Sequence, residues 1–275
     1  MEWHALGWLA VALYVGAEAL SVLSLLKPGR ASSATILRTS AASVLLAAGL
    51  ALHFADLEIT ARMLHSVPYQ TFGGSLSLFG WMLGVSYLAL LFRHRERAIG
   101  PFLIPFVILF SAAGLLLPMR AAAPDSEMRG SLFAMHVTFG ILGYAAFTFS
   151  FVLSILYLVQ DRQIRRGRTG ILFARLPPLE VIGKMNRTSV TIGIAVLAAS
   201  VLFGLLWANR VWATMGDPKI EWAIATLALY GFLLWMERRG WKGPRVAILS
   251  ILGYGLVLFS YTIVNMFFSR SHGFR

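Results

Sequence analysis

Apolar runs of about 20 residues recur along nearly the whole chain, each long enough for a helix to cross the hydrocarbon core of a bilayer. Short loops rich in Lys and Arg separate them. A soluble domain carries about 25% charged residues; here the 275 residues are 13% charged and 58% hydrophobic, with a mean hydropathy of +0.73. Such a chain cannot cover a water-facing surface, which excludes a soluble enzyme, a secreted domain and a disordered chain. The runs predict an all-α, polytopic membrane protein of about eight helices, at roughly 5–26, 34–54, 74–92, 99–119, 131–159, 188–210, 219–236 and 246–268.

An even number of spans puts both termini on one side. With the termini outside, the inner loops hold sixteen Lys and Arg, among them Arg93, Arg97, Arg165, Arg175 and Arg245, against seven in the outer segments. The positive-inside rule therefore places both termini on the outer side. The net charge of +12 reads as this topology signal, not as a nucleic-acid surface. Met1-Glu2-Trp3-His4 lacks the basic start of a cleavable signal peptide, so the first apolar run is expected to stay as a helix. The longest polar stretch, about 160–187, contains Leu176-Pro177-Pro178-Leu179-Glu180, where the prolines break any helix and predict an inner connector on the membrane surface. No clear internal repeat points to a transporter built from inverted halves.

With no Cys, the chain has no disulfide or thiolate, and any thiol chemistry must come from a partner. Imidazole is the good metal ligand that remains. Of six histidines, His94 falls in a basic inner loop, and His4 and His65 in outer polar segments. His53 lies near the outer end of the second helix, His136 in the second turn of the fifth, and His272 just beyond the eighth. Singly each reads as an interfacial residue. Together they bring imidazoles from three helices to one membrane face, where two could ligate a heme iron axially. The segment from Trp207 through Trp212 to Trp222 adds an aromatic shelf on that face, with Arg210 and Lys219 beside it; Asp217-Pro218 also reads as a helix start. Trp equally belongs at any membrane interface. Deeper in the bilayer, Glu18 and Arg38 on adjacent antiparallel helices are expected to pair, a structural role.

These residues resemble the cytochrome c assembly family of heme-handling membrane proteins, of the CcsA, ResC and CcmC type, in its small eight-helix form. His53-Phe54-Ala55-Asp56-Leu57 through Arg62, Pro68 and Ser75-Leu76 looks like the family's second outer loop. His136-Val137 with Gly143-Tyr144-Ala145-Ala146-Phe147 is similar to its fifth helix, Leu176-Pro177-Pro178-Leu179-Glu180 to its inner connector, and Gly204 through Trp222 to its tryptophan-rich loop. Val264-Asn265 through Ser271-His272-Gly273 resembles its tail. The resemblance covers most of the chain and implies one assembly-type transmembrane domain over 1–275. It also implies a bacterial inner (plasma) membrane location.

The implied function is to hold heme b transiently at the outer face for attachment to the CxxCH segment of an apocytochrome c. His136 and His272 would be the axial ligands, and Trp207, Trp212, Gly216, Asp217, Pro218, Trp222 and His53 would complete the heme site. The implied partners are a ResB/CcsB-like membrane protein, the apocytochrome and a thiol-reducing thioredoxin-like protein, with no nucleic acid. Two departures stand out. The interval from Trp212 to Asp217 is about two residues shorter than in the family and carries Thr214-Met215-Gly216 where the family has a Trp pair. Trp235 stands where the family commonly has a His in the seventh helix, the inner site for heme in transit. A HemX-like membrane regulator of heme biosynthesis, without synthase activity, is the second reading, and a heme-independent solute carrier the third.

Overall fold

The computed structural model describes residues 4–26, 33–63, 67–94, 96–117, 130–167, 170–211, 218–241 and 243–259. Regular structure among them is helical throughout: α1 (Ala5–Leu26), α2 (Ser33–Met63), α3 (Phe72–His94), α4 (Gly100–Leu116), α5 (Ser131–Arg165), α6 (Ile171–Arg175), α7 (Leu179–Val211), α8 (Pro218–Arg238) and α9 (Pro244–Phe259). Single 3-10 turns at Pro68–Gln70 and Arg97–Ile99 lead into α3 and α4. The all-α polytopic reading stands. Six stretches among the described residues are long and apolar enough to cross a membrane, from Ala5–Leu26 through Leu179–Asn209. The expected seventh span corresponds to α8, and the eighth opens in α9; residues 260–268 lie outside the described residues.

The helices form two compact units, residues 1–123 with 171–177 and residues 124–170 with 178–275. In the first, α1 packs on α2 and α4, and α3 on α2 and α4, which closes a four-helix ring. In the second, α5 and α8 each pack on both α7 and α9. Helices in lipid gain little from apolar burial against one another, so small residues that admit close backbone approach decide where they cross. The α5–α7 crossing shows this residue by residue. A Cβ on Gly193 would stand 2.5 Å from Phe147 Cε1, one on Gly143 3.3 Å from Leu197, and one on Gly140 3.1 Å from Ser200 Oγ.

Around this seam the second unit carries a buried polar network. The Ser150 hydroxyl donates to Asn186 Oδ1 at 2.7 Å, and Asn186 Nδ2 donates to Ser250 Oγ at 3.3 Å. The Tyr230 hydroxyl donates to the Ser250 carbonyl at 3.2 Å, so the chain of bonds joins α5, α7, α9 and α8. Tyr230 also stacks on Phe147 at 4.0 Å between ring centroids. Exchanging Asn186 for leucine leaves the Ser150 and Ser250 hydroxyls in hydrocarbon without this partner. We expect a loss of about 1–2 kcal/mol, read as a lower midpoint of unfolding in detergent with the helical circular dichroism unchanged.

Two expectations are corrected. The second helix does not end at 54 but runs to Met63, carrying His53, Asp56, Glu58 and Arg62 with it. The polar residues that suggest a loop have helical partners: Arg62 pairs with Glu58 one turn away at 2.8 Å, and Asp56, 3% exposed, accepts from the Gly7 N–H at 3.0 Å. That carboxylate, with His4 Nδ1 at 3.0 Å, satisfies the first turn of α1, where backbone donors lack partners and negative charge is favoured. The pairing of Glu18 with Arg38 is not formed. Glu18 Oε2 is buried without a hydrogen-bond partner. The proline break stands: α6 ends at Arg175 and α7 begins at Leu179, past Pro177-Pro178.

Candidate functional site

His136 sits one turn and a half into α5 and lies against α7 through three contacts with one residue. Its Nδ1 is 2.8 Å from the Ser200 carbonyl and 3.2 Å from Ser200 Oγ, while the Ser200 hydroxyl donates to the His136 carbonyl at 2.7 Å. A carbonyl only accepts, and the Ser200 proton is already given to His136 O. Both contacts at Nδ1 therefore need Nδ1 to carry the proton, and in the neutral ring the lone pair is on Nε2. The ring can lie there only because position 204 is glycine: a Cβ on Gly204 would meet His136 Nδ1 at 2.6 Å. A histidine whose Nδ1–H is held by a carbonyl, with the ring orientation fixed and Nε2 as the basic nitrogen, is the arrangement metal-binding imidazoles use.

Aromatic side chains extend from this ring. Phe133, one turn before His136, has its ring centroid 6.4 Å from the imidazole and 4.7 Å from the Trp207 ring. Trp207, expected as a platform, is 4% exposed and packs at a tilt on Phe133. Trp222, near the start of α8, is half-buried with its ring 4.8 Å from Phe259. Trp212, Gly216, Asp217 and His272 lie outside the described residues, as does the side chain of Pro218, although α8 begins at Pro218. Ser200 and Gly204 were missed by reading the sequence. The signal was there in Gly193, Ser200 and Gly204, small residues that share one face of α7 at helical spacing.

His53 belongs to the other unit and has a different setting. It is 1% exposed, with Nδ1 at 3.2 Å from the Tyr14 hydroxyl and Nε2 at 2.8 Å from Ser77 Oγ. Both ring nitrogens are thus engaged, and the imidazole ties α2 to α1 and α3. An iron ligand needs a ring lone pair, which His53 could offer only by breaking one of these bonds. His53→Ala is expected to leave the Tyr14 and Ser77 hydroxyls buried and unpaired, at a cost of about 1–3 kcal/mol. Bound heme per folded molecule should not change, as a hemochrome assay normalised to protein would read.

Trp235, at the position of the expected inner histidine, is 50% exposed on α8. The Arg239 guanidinium stands 5.0 Å from its ring centroid. Gly240, at φ 99, ends α8, with the Gly240 N–H bonded to Glu237 O and the Trp241 N–H to Met236 O, both near 3.0 Å. Among the described residues no group of three His, Cys, Asp or Glu side chains is placed to hold a bare metal ion.

The chain matches the cytochrome c assembly protein family over residues 69–272. It belongs to that family. The match begins in the turn before α3 and runs through His136, the Trp207–Trp222 segment and His272. Among curated relatives, the cytochrome c biogenesis protein CcsA of Pyropia yezoensis is 25% identical over 249 residues, covering 75% of this chain and 78% of the relative. CcsA of Synechococcus sp. (strain JA-3-3Ab) is 25% identical over 276 residues, covering 78% and 80%. CcsA of Prochlorococcus marinus (strain MIT 9215) is 29% identical over 224 residues, covering 72% of each. The protein is thus a multi-pass membrane member of this family, and membership gives it a role in cytochrome c biogenesis.

Proposed function

We propose that the chain holds heme b, as cargo, at the outer membrane face for covalent attachment to the CxxCH segment of an apocytochrome c, with His136 and His272 as the axial ligands. The observation that carries this reading is the Nδ1–H of His136 held by the Ser200 carbonyl at 2.8 Å. It presents Nε2 as the basic nitrogen at the outer end of α5. Heme brings the vinyl groups that become thioethers, and both thiols belong to the apocytochrome, in keeping with the absence of Cys here. The protein's own residues supply position. Ser200 and Gly204 fix the imidazole, Phe133 and Trp207 fill the space beneath it, and Trp212, Asp217 and Trp222 would flank the cargo. Orientation of one reactant relative to another lowers the barrier without any acid or base.

A ResB/CcsB-like membrane partner and a thiol-reducing, thioredoxin-like protein fit this role, since the chain has no thiols of its own. A bacterial inner membrane is the setting the basic inner loops suit. The setting of Trp235 favours one alternative, a membrane regulator of heme biosynthesis of the HemX kind, because that position offers no imidazole for heme in transit. The two separate in one experiment. Deletion of the gene, with complementation, should remove covalently bound heme from a c-type reporter on a heme-stained gel and leave the levels of heme-synthesis enzymes unchanged. Normal reporter heme together with altered enzyme levels would select the regulator.

A further inference from the structure

The first unit contains a cavity of about 190 Å3 that the heme reading does not use. It lies between the C-terminal turns of α1, the N-terminal half of α2, the end of α3 and the turn that opens α4, and Arg175 of α6 contributes to its wall. Pockets for drug-sized ligands hold roughly 300–1,000 Å3, so a porphyrin does not fit. A phosphate with a few carbon atoms does. Two guanidinium groups, Arg97 and Arg175, line it, and Arg97 is held in place by Nη1 donating to Thr39 Oγ1 at 2.6 Å. Both arginines belong to loops that the charge distribution assigns to the inner face.

The remaining lining includes both apolar and hydroxyl-bearing side chains. Leu46 and Leu91 give apolar walls continuous with the bundle. Ser24 and Ser43 give hydroxyls whose protons are committed, Ser24 to Leu20 O at 2.7 Å and Ser43 to Thr39 O at 2.9 Å. These serine oxygens cannot donate to an anion and can only accept. The two arginines are the cationic donors to an anion, and the Ser21 and Tyr87 hydroxyls line the same cavity; the Ser24 and Ser43 oxygens suit a ligand that itself carries hydroxyl groups. Arginine pairs with phosphate through two parallel N–H bonds, and basic pockets between helices on the inner side of a membrane take anionic headgroups.

The geometry points to a site for the headgroup of a hydroxyl-bearing anionic phospholipid, phosphatidylglycerol being the simplest. Its phosphate would lie on Arg97 and Arg175, its glycerol hydroxyls would donate to Ser24 and Ser43, and its acyl chains would leave toward the bilayer. This inference is independent of the heme reading.

The probes are phosphatidylglycerol, phosphatidylcholine and soluble glycerol phosphate, each added to the detergent-purified full chain. Phosphatidylglycerol should raise the midpoint of thermal unfolding by several degrees more than phosphatidylcholine at equal concentration. It should also survive as a one-to-one adduct in native mass spectrometry. Arg175→Gln should remove at least half of that difference. Equal effects of the two lipids would overturn the proposal, as would a phosphatidylglycerol effect that persists in Arg97→Gln/Arg175→Gln. An equal, arginine-dependent shift with millimolar glycerol phosphate would overturn the lipid as the source. Should the double variant fail to fold, the adduct ratio of the two lipids on the unaltered protein decides by itself.

Discussion

His136→Ala is expected to lower heme bound to the purified protein at least tenfold, with thermal stability within about 1 kcal/mol of the parent. The side chain is only half-buried, and Phe133 beside it stays in place against Trp207. The effect is therefore on ligation, not on folding. Gly204→Val is the sharper companion, because it removes no ligand. The added side chain claims the space that His136 Nδ1 occupies, since even a Cβ would stand 2.6 Å away. The ring must then leave the Ser200 carbonyl and with it the orientation and tautomer that the carbonyl fixes. Changes to groups that orient a metal ligand cost 10- to 100-fold in affinity, so the valine variant should fall within that range. Ser200→Ala should fall short of it, because the carbonyl that accepts from Nδ1 belongs to the backbone. A hemochrome assay on the three variants orders them. Equal heme in Gly204→Val and parent would show that this contact does not matter to binding.

The second large effect is on stability. Gly193→Leu is expected to destabilise the second unit by about 3 kcal/mol or more, and to lower yield in the membrane. Phe147 has no room to retreat: its Cε1, Cδ1 and Cζ atoms all lie within 3.0 Å of the position a Cβ would take, and its far face is stacked on Tyr230. Overpacking in a filled core costs about 1–3 kcal/mol even when side chains can shift. Here the whole α5–α7 crossing must widen, which also draws Ser200 away from His136. Gly231→Leu, where a Cβ meets nothing within 4 Å, is the control and should be near neutral. Unfolding in a graded series of denaturing detergent measures both.

Much of the fold was legible because bilayer thickness sets run length: α1, α3 and α4 fall close to the expected spans. The second helix was read short because Asp56, Glu58 and Arg62 look like a loop to any rule based on hydropathy. Their helical partners, Gly7 on α1 for Asp56 and each other for Glu58 and Arg62, exist only once the helices are packed or formed. The missing Glu18–Arg38 pair failed for a related reason: adjacency of two helices does not fix which faces meet. At the proposed site, His136 was legible as a candidate from its depth and its family-like surroundings. Ser200 and Gly204 were not, because a hydrogen bond across 64 residues is a consequence of how α5 and α7 cross. His53 and His136 look alike as histidines near helix ends. Packing distinguishes them, since both nitrogens of His53 are spent on Tyr14 and Ser77.

Ligation of the heme iron by His136 is the proposal on which the function rests. Its most direct test is the visible absorption spectrum of the reduced, purified protein and of His136→Ala, each recorded before and after addition of imidazole. The parent is expected to show a sharp Soret band with resolved α and β bands, which collapse in His136→Ala and return when imidazole takes the vacated position. A His136→Ala spectrum identical to the parent's, or a parent that remains colourless after incubation with heme, would contradict it.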